Sequence, residues 1–112
     1  MKIDESITGT VLVVRLTGEL DMKEAGGLQG RLAERIANGQ SRIVVNLAGV
    51  AYIDSAGLGA LVATHKACAG RGGKLVLAEP GNDVKHILSL TRIDRHLPVH
   101  ATESAAAAAA GQ

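Results

Sequence analysis

The chain has 112 residues, with 12 Lys plus Arg against 11 Asp plus Glu, a formal net charge of +1 and a hydrophobic fraction of 46%. One domain with a core of its own is the natural expectation at this length. A near-neutral charge with one Tyr, no Phe and no Trp argues against the basic stripe and stacking rings of nucleic-acid binders. Cys68 is the only cysteine, so no internal disulfide can form, which fits a reducing compartment. Met1 to Ser6 is polar, unlike a signal peptide. The longest strongly apolar run, Val11 to Val14, is too short to cross a bilayer. The expectation is a cytoplasmic domain without membrane insertion and without direct nucleic-acid contact.

Two β-rich runs, Ile3 to Thr8 and Val11 to Thr17, are separated by Gly9-Thr10 and predict an antiparallel hairpin, with Gly18 ending the second run. Asp21-Met22-Lys23-Glu24 has the form of a capping box, in which Asp21 accepts from the third helical N–H and Glu24 reaches back. Ala25, Leu28, Leu32 and Ile36 follow as the inward stripe of an amphipathic helix. Asn38-Gly39 supplies its left-handed cap. Gly26, Gly27 and Gly30 each cost that helix about 0.8–1 kcal/mol relative to Ala. Tertiary packing must therefore hold it, and its first half is expected to be mobile.

Arg42 to Leu47 reads as a strand buried on both faces. The stretch Val50 to Leu61 leads from it into a helix from about Ala56 to Ala69, with Leu58, Leu61, Val62, His65, Cys68 and Ala69 inward. Gly70 to Gly73 end the helix, and Lys74 to Ala78 form the next strand. After a turn at Pro80-Gly81, Asn82 is placed to cap a short helix over Asp83 to Leu90, with Val84, Ile87, Leu88 and Leu90 inward. Leu97 to His100 suits an edge strand, because Pro98 excludes a central position. Thr102-Glu103-Ser104 can cap a final alanine run. Alanine has the best helix propensity but buries little area, and an isolated segment this short is marginal in water. It is expected to be frayed, or ordered only by docking. The strand–helix–strand order implies right-handed crossovers and a partly parallel sheet, which the opening hairpin makes mixed.

Ser55 is the one hydroxyl in the turn between the third strand and the second helix, beside Asp54 and ahead of Gly57 and Gly59. Two readings of it are open: a plain N-cap, or an exposed hydroxyl available for chemistry. Asp54 is either a competing cap or a residue that orients the serine, and Asp21 is first of all a cap. His65 and Cys68 share a helical face but lack further ligands at suitable spacing, so they read as core and no metal is expected. His96 and His100 straddle Pro98 and cannot align on a helix. Gly57-Leu58-Gly59 lacks the third glycine and the lysine of phosphate-binding loops, and no Gly-x-Ser-x-Gly elbow occurs. Arg92, Arg95 and His96 read as a solvated turn by default, with a small basic patch as the alternative. No cofactor and no catalytic residue are expected.

Gly18-Glu19-Leu20-Asp21 before the first helix and Asp54-Ser55-Ala56-Gly57-Leu58-Gly59 before the second resemble the STAS domain. More narrowly, they resemble the bacterial anti-sigma factor antagonists. The resemblance covers about Ile3 to His100 and leaves 101–112 as an alanine-rich helix or tail. It implies an α/β fold with a mixed four- or five-stranded sheet. It also implies a partner: an anti-sigma factor that is a serine kinase and releases a sigma factor when held. That kinase would phosphorylate Ser55 with its own ATP, the phosphorylated chain would let go, and a PP2C-type phosphatase would reset it. The chain would then be a substrate and binding module, not an enzyme. Its contact surface would be Asp21, Met22, Asp54, Ser55, Ala56, Gly57, Leu58 and Gly59.

Two departures stand out. Ala56 replaces a second hydroxyl common in the family, leaving Ser55 as the only acceptor in the loop. The final helix also lacks the usual leucines. A different class of function is a STAS accessory subunit of a stress-signalling scaffold or a lipid-transport ATPase complex, in which Ser55 is structural. The cytoplasmic domain of an anion transporter is disfavoured for want of a membrane-spanning segment.

Overall fold

The computed structural model describes residues 1–112 as β1 (Lys2–Thr8), β2 (Val11–Leu20), α1 (Met22–Ala37), β3 (Arg42–Ile53), α2 (Ser55–Ala69), β4 (Lys74–Ala78), α3 (Asn82–Leu90), a 3-10 turn (Ile93–Arg95), β5 (Val99–His100) and α4 (Glu103–Ala110). The strands lie in the sheet in chain order. β1 runs antiparallel to β2, and the remaining neighbours are parallel. Right-handed crossovers that always step in one direction place α1, α2 and α3 on the same face.

That face holds the main core. Leu12, Val14 and Leu16 of β2, Ile43, Val45 and Leu47 of β3, and Leu75 and Leu77 of β4 pack there under Leu28, Leu32, Leu61 and Leu88 from the helices. The intervening residues, Val11, Val13, Val44, Val76 and Ala78, point the other way and are also buried. Alternation along a strand makes this unavoidable: apolar runs such as Val11–Val14 in β2 and Ile43–Val45 in β3 need cover on both faces. α4 provides the second cover through Ala106 and Ala110.

The alanine run is thus ordered by docking. Alanines let the helix lie close on the valines but bury little area, so polar contacts pin its ends. Glu103 accepts from Arg15 Nε at 2.8 Å and Nη2 at 2.9 Å, and from Asn46 Nδ2 at 3.0 Å. Its backbone N–H donates to Glu79 Oε2 at 2.8 Å, and Thr102 caps the helix by accepting from Ala105 N at 3.1 Å. At the other end Arg42 donates to the carbonyls of Ala110 and Gln112. On the opposite face Glu5 of β1 accepts from Arg31 and Arg35 of α1, tying the edge strand to that helix.

Several boundaries differ from expectation. β2 does not stop at Gly18, which takes φ +121° and lets the strand run on to Leu20. β3 continues past Leu47 to Ile53, with Val50 and Ile53 buried. α2 buries Leu58, Leu61 and Cys68 as expected, but also Gly57, Ala60 and Thr64, because it packs against α1 as well as the sheet. Val62 and His65 are only partly buried and Ala69 is exposed. Gly81, not Asn82, is the N-cap of α3. Leu90 is 68% exposed; it lies about 200° round the helix from the buried Leu88. Glu24 does not close a capping box, since its Oε1 takes the Met1 amino group at 3.3 Å. β5 is shorter than expected, but it is the edge strand, and the Pro98 carbonyl accepts from Leu77 N.

The α4 contacts set a pH dependence. Hydrogen bonding from Arg15, aided by Asn46, holds the Glu103 carboxyl below its ordinary value despite partial burial. A carboxylate whose pKa is depressed by folding stabilises the native state above its unfolded pKa, and that contribution is lost as pH falls through the folded value. The protection factors of the Ala106 and Ala110 amides, measured against their intrinsic exchange rates, are therefore expected to fall as pH drops below 4.5, the ordinary value for Glu103. In Glu103→Gln the same amides should exchange faster at neutral pH and lose this acid-dependent step.

Candidate functional site

β2 and β3 end side by side, with Leu20 paired to Ile53 and Asp54 N donating to Leu20 O at 3.3 Å. Each strand is followed by one aspartate and then a helix, so two helix N-termini open at the same end of the sheet. Asp21 caps α1 by accepting from Lys23 N at 3.0 Å and Glu24 N at 3.2 Å. Asp54 caps α2, its Oδ1 accepting from Gly57 N at 2.9 Å. Its Oδ2 accepts from Met22 N, also at 2.9 Å. One carboxylate therefore joins the first turns of both helices.

That arrangement removes the plain N-cap reading of Ser55. Asp54 is the cap, and Ser55 is the first residue of α2, exposed and without a hydrogen-bonded role for its hydroxyl. The serine oxygen has no hydrogen-bonded partner within the chain.

The neighbouring positions divide by exposure. Met22 is 78% exposed, held at its backbone by Asp54. Gly59 is exposed, and a Cβ there would meet nothing within 4 Å. Asp21 and Ala56 are half-buried. Gly57 and Leu58 face inward. A Cβ on Gly57 would run into the Leu20 carbonyl oxygen and come within 2.9 Å of Leu20 Cγ, so glycine is required there by the close approach of α2 to the ends of β2 and β3. Tyr52, 50% exposed, lies two residues before the cap and is absent from the set expected from sequence. Ending the third strand at Leu47 hides it; the apolar residues Val50 and Ile53 signal that the strand continues, but their spacing of three, across register shifts in the β2–β3 pairing, breaks the alternation that a strand reading looks for.

Elsewhere, Cys68 is fully buried and its thiol is pushed up to about 11 by that burial, which keeps it protonated at neutral pH. His65 Nδ1 is buried without a partner, and no group of three His, Cys, Asp or Glu side chains is placed to hold a metal ion. A cavity of about 420 Å³ lies between α3 and β5, lined by residues that include Lys85, Leu88, Asp94 and Val99, and Ser55 is not among its lining residues. No helix is long and apolar enough to cross a membrane.

A model of the STAS domain matches residues 2–106. The chain belongs to the STAS domain family. Among curated relatives, this STAS domain is 29% identical over 94 residues to the anti-sigma F factor antagonist of Paenibacillus polymyxa, covering 83% of this chain and 80% of that one. The crystal structure of TM1081 from Thermotoga maritima superposes with a TM-score of 0.92 at 27% identity, over 98% of this chain and 95% of that one. Bacillus SpoIIAA in its phosphorylated form shares the fold, with a TM-score of 0.73 at 21% identity over 94% of this chain and 96% of that one.

The two glycines of the turn yield opposite expectations. Gly57→Ala should destabilise by about 2 kcal/mol or more, because backbone must shift to admit the methyl group. Gly59→Ala should stabilise by about 0.5–1 kcal/mol, because an exposed helical glycine only costs entropy. Urea unfolding of both variants checks the sign of each.

Proposed function

We propose that this chain is an anti-sigma factor antagonist. It holds an anti-sigma factor with serine kinase activity, and phosphorylation of Ser55 switches it off. The observation that carries this reading is the division of labour at the turn. Asp54 does the capping, so Ser55 presents a hydroxyl that the fold does not use. The curated relative's name supplies the partner class. The kinase brings the ATP, a PP2C-type phosphatase removes the phosphate, and the chain itself acts by binding.

Charge arithmetic supports release at the partner surface. A phosphoserine carries about −1.5 to −2 charges at neutral pH. At the start of α2 the helix dipole favours it by about 0.3–1 kcal/mol, and repulsion from Asp54 opposes that by a similar amount. The fold therefore absorbs the modification. A phosphate held about 4 Å from a partner carboxylate costs about 1–4 kcal/mol per charge pair, which is about one to three decades of affinity. Met22, exposed beside the serine, is the apolar anchor of the same surface.

Incubation of the chain with its cognate kinase and ATP, followed by peptide mass spectrometry, is expected to place one phosphate on Ser55 and none on Ser55→Ala. A kinase that binds the chain yet leaves Ser55 unmodified would overturn the switch. Ser55→Asp is expected to weaken kinase binding at least about tenfold while its unfolding free energy stays within about 1 kcal/mol of the parent. Calorimetry and urea melts read the two quantities separately.

A further inference from the structure

The arginines of this chain divide into two groups. Arg15, Arg31, Arg35 and Arg42 are all engaged, by Asp4 and Glu103, by Glu5, or by the carbonyls that end α4. Arg71, Arg92 and Arg95 are exposed and pair with nothing; of these, Arg92 and Arg95 share one turn, and His86 and His96 near them in sequence are exposed as well. Asp94, which lies between the two arginines in sequence, lines the cavity between α3 and β5 and forms no ion pair with either. Arg92 has φ +61°, a left-handed conformation that side-chain-bearing residues adopt rarely. Next to this unpaired charge stands Leu90, 68% exposed. His86 lies four residues earlier on the same helical face.

We propose that this corner, from the last turn of α3 into the 3-10 turn, is a second docking surface. Its partner is an acidic protein segment that carries an aliphatic side chain. The leucine supplies an apolar contact, and the arginines offer forked donors to carboxylates. An anionic membrane is the poorer fit, because electrostatic anchoring there takes clusters of about four to eight basic side chains. The surface is separate from Ser55. α3 starts at the sheet end that carries Ser55 and runs back over about 13 Å, so Leu90 and Arg92 lie toward the other end. Occupancy of this corner is therefore independent of the state of the serine.

The test is a titration of the isotopically labelled chain, followed by amide chemical shifts. The probe is the peptide acetyl-Glu-Glu-Leu-Glu-Glu-amide, compared with its Leu-to-Ser analogue. Saturable shifts at Leu90 to His96 are expected, weakening as salt rises and in the serine peptide. Leu90→Ser and the double variant Arg92→Ser/Arg95→Ser should each reduce affinity by about tenfold. Both changes are on exposed residues and should leave the melting curve unchanged. Ser55→Asp should bind the peptide as the parent does, so failure here and failure of the kinase switch are separate results. Shifts located elsewhere, or no shifts, would overturn the proposal. So would affinity indifferent to Leu90, or binding to phosphatidylserine vesicles through the same residues without binding of the peptide.

Discussion

The Asp54 carboxylate is the contact on which the upper end of this molecule depends. A parallel pair of strands brings two helix starts together, and each start presents backbone N–H groups with no partner inside its helix. Asp54 serves one such group on each helix, at Gly57 and Met22. Asp21 serves two more on α1. Once those donors are satisfied by carboxylates, the serine between them has no structural duty. That Ser55 is left without a hydrogen-bonding role is thus a consequence of how Asp21 and Asp54 satisfy the backbone around it.

The second constraint is the sheet order. Because the strands lie in chain order and every parallel crossover steps the same way, the connecting helices crowd one face. The other face is apolar at its centre and must be closed by something outside the crossovers. A helix of alanines suits that place, since a flat patch of small β-branched residues has no deep grooves for leucines to fill. The specificity of its position comes from its ends, where Arg15, Asn46, Glu79 and Arg42 meet it. The pairing Arg15–Glu103 therefore does for the second face what leucine packing does for the first.

Much of this was legible in the sequence. The α1 stripe, the cap at Asp21, the strand Lys74–Ala78 and the capping role of Thr102 all follow from local chemistry that the tertiary structure leaves intact. The ends of β2 and β3 did not. Gly18 looked like a terminator because glycine weakens strands, and Gly49 interrupts the apolar pattern of β3. Parallel pairing between β2 and β3 carries both strands past these points, with register shifts that accommodate them. The role of Gly57 was invisible for a similar reason: its lack of a side chain answers to Leu20, a residue 37 positions earlier. The choice of Asp54 over Ser55 as cap rested on where β3 ends, and that boundary was set by pairing across the sheet.

The contact between Arg15 and Glu103 spans 88 residues, and this separation has a consequence for biosynthesis. Val11, Val13, Val44 and Val76 are all made before the helix that covers them. While the chain emerges, the sheet can close its leucine face once α3 and Leu97 are available, but its valine face stays wet. A β-sheet with one dry and one open apolar face is prone to stick to other nascent chains. The interval before α4 docks is the period in which this protein most needs dilution or a chaperone, and the polar pins at the helix ends close it.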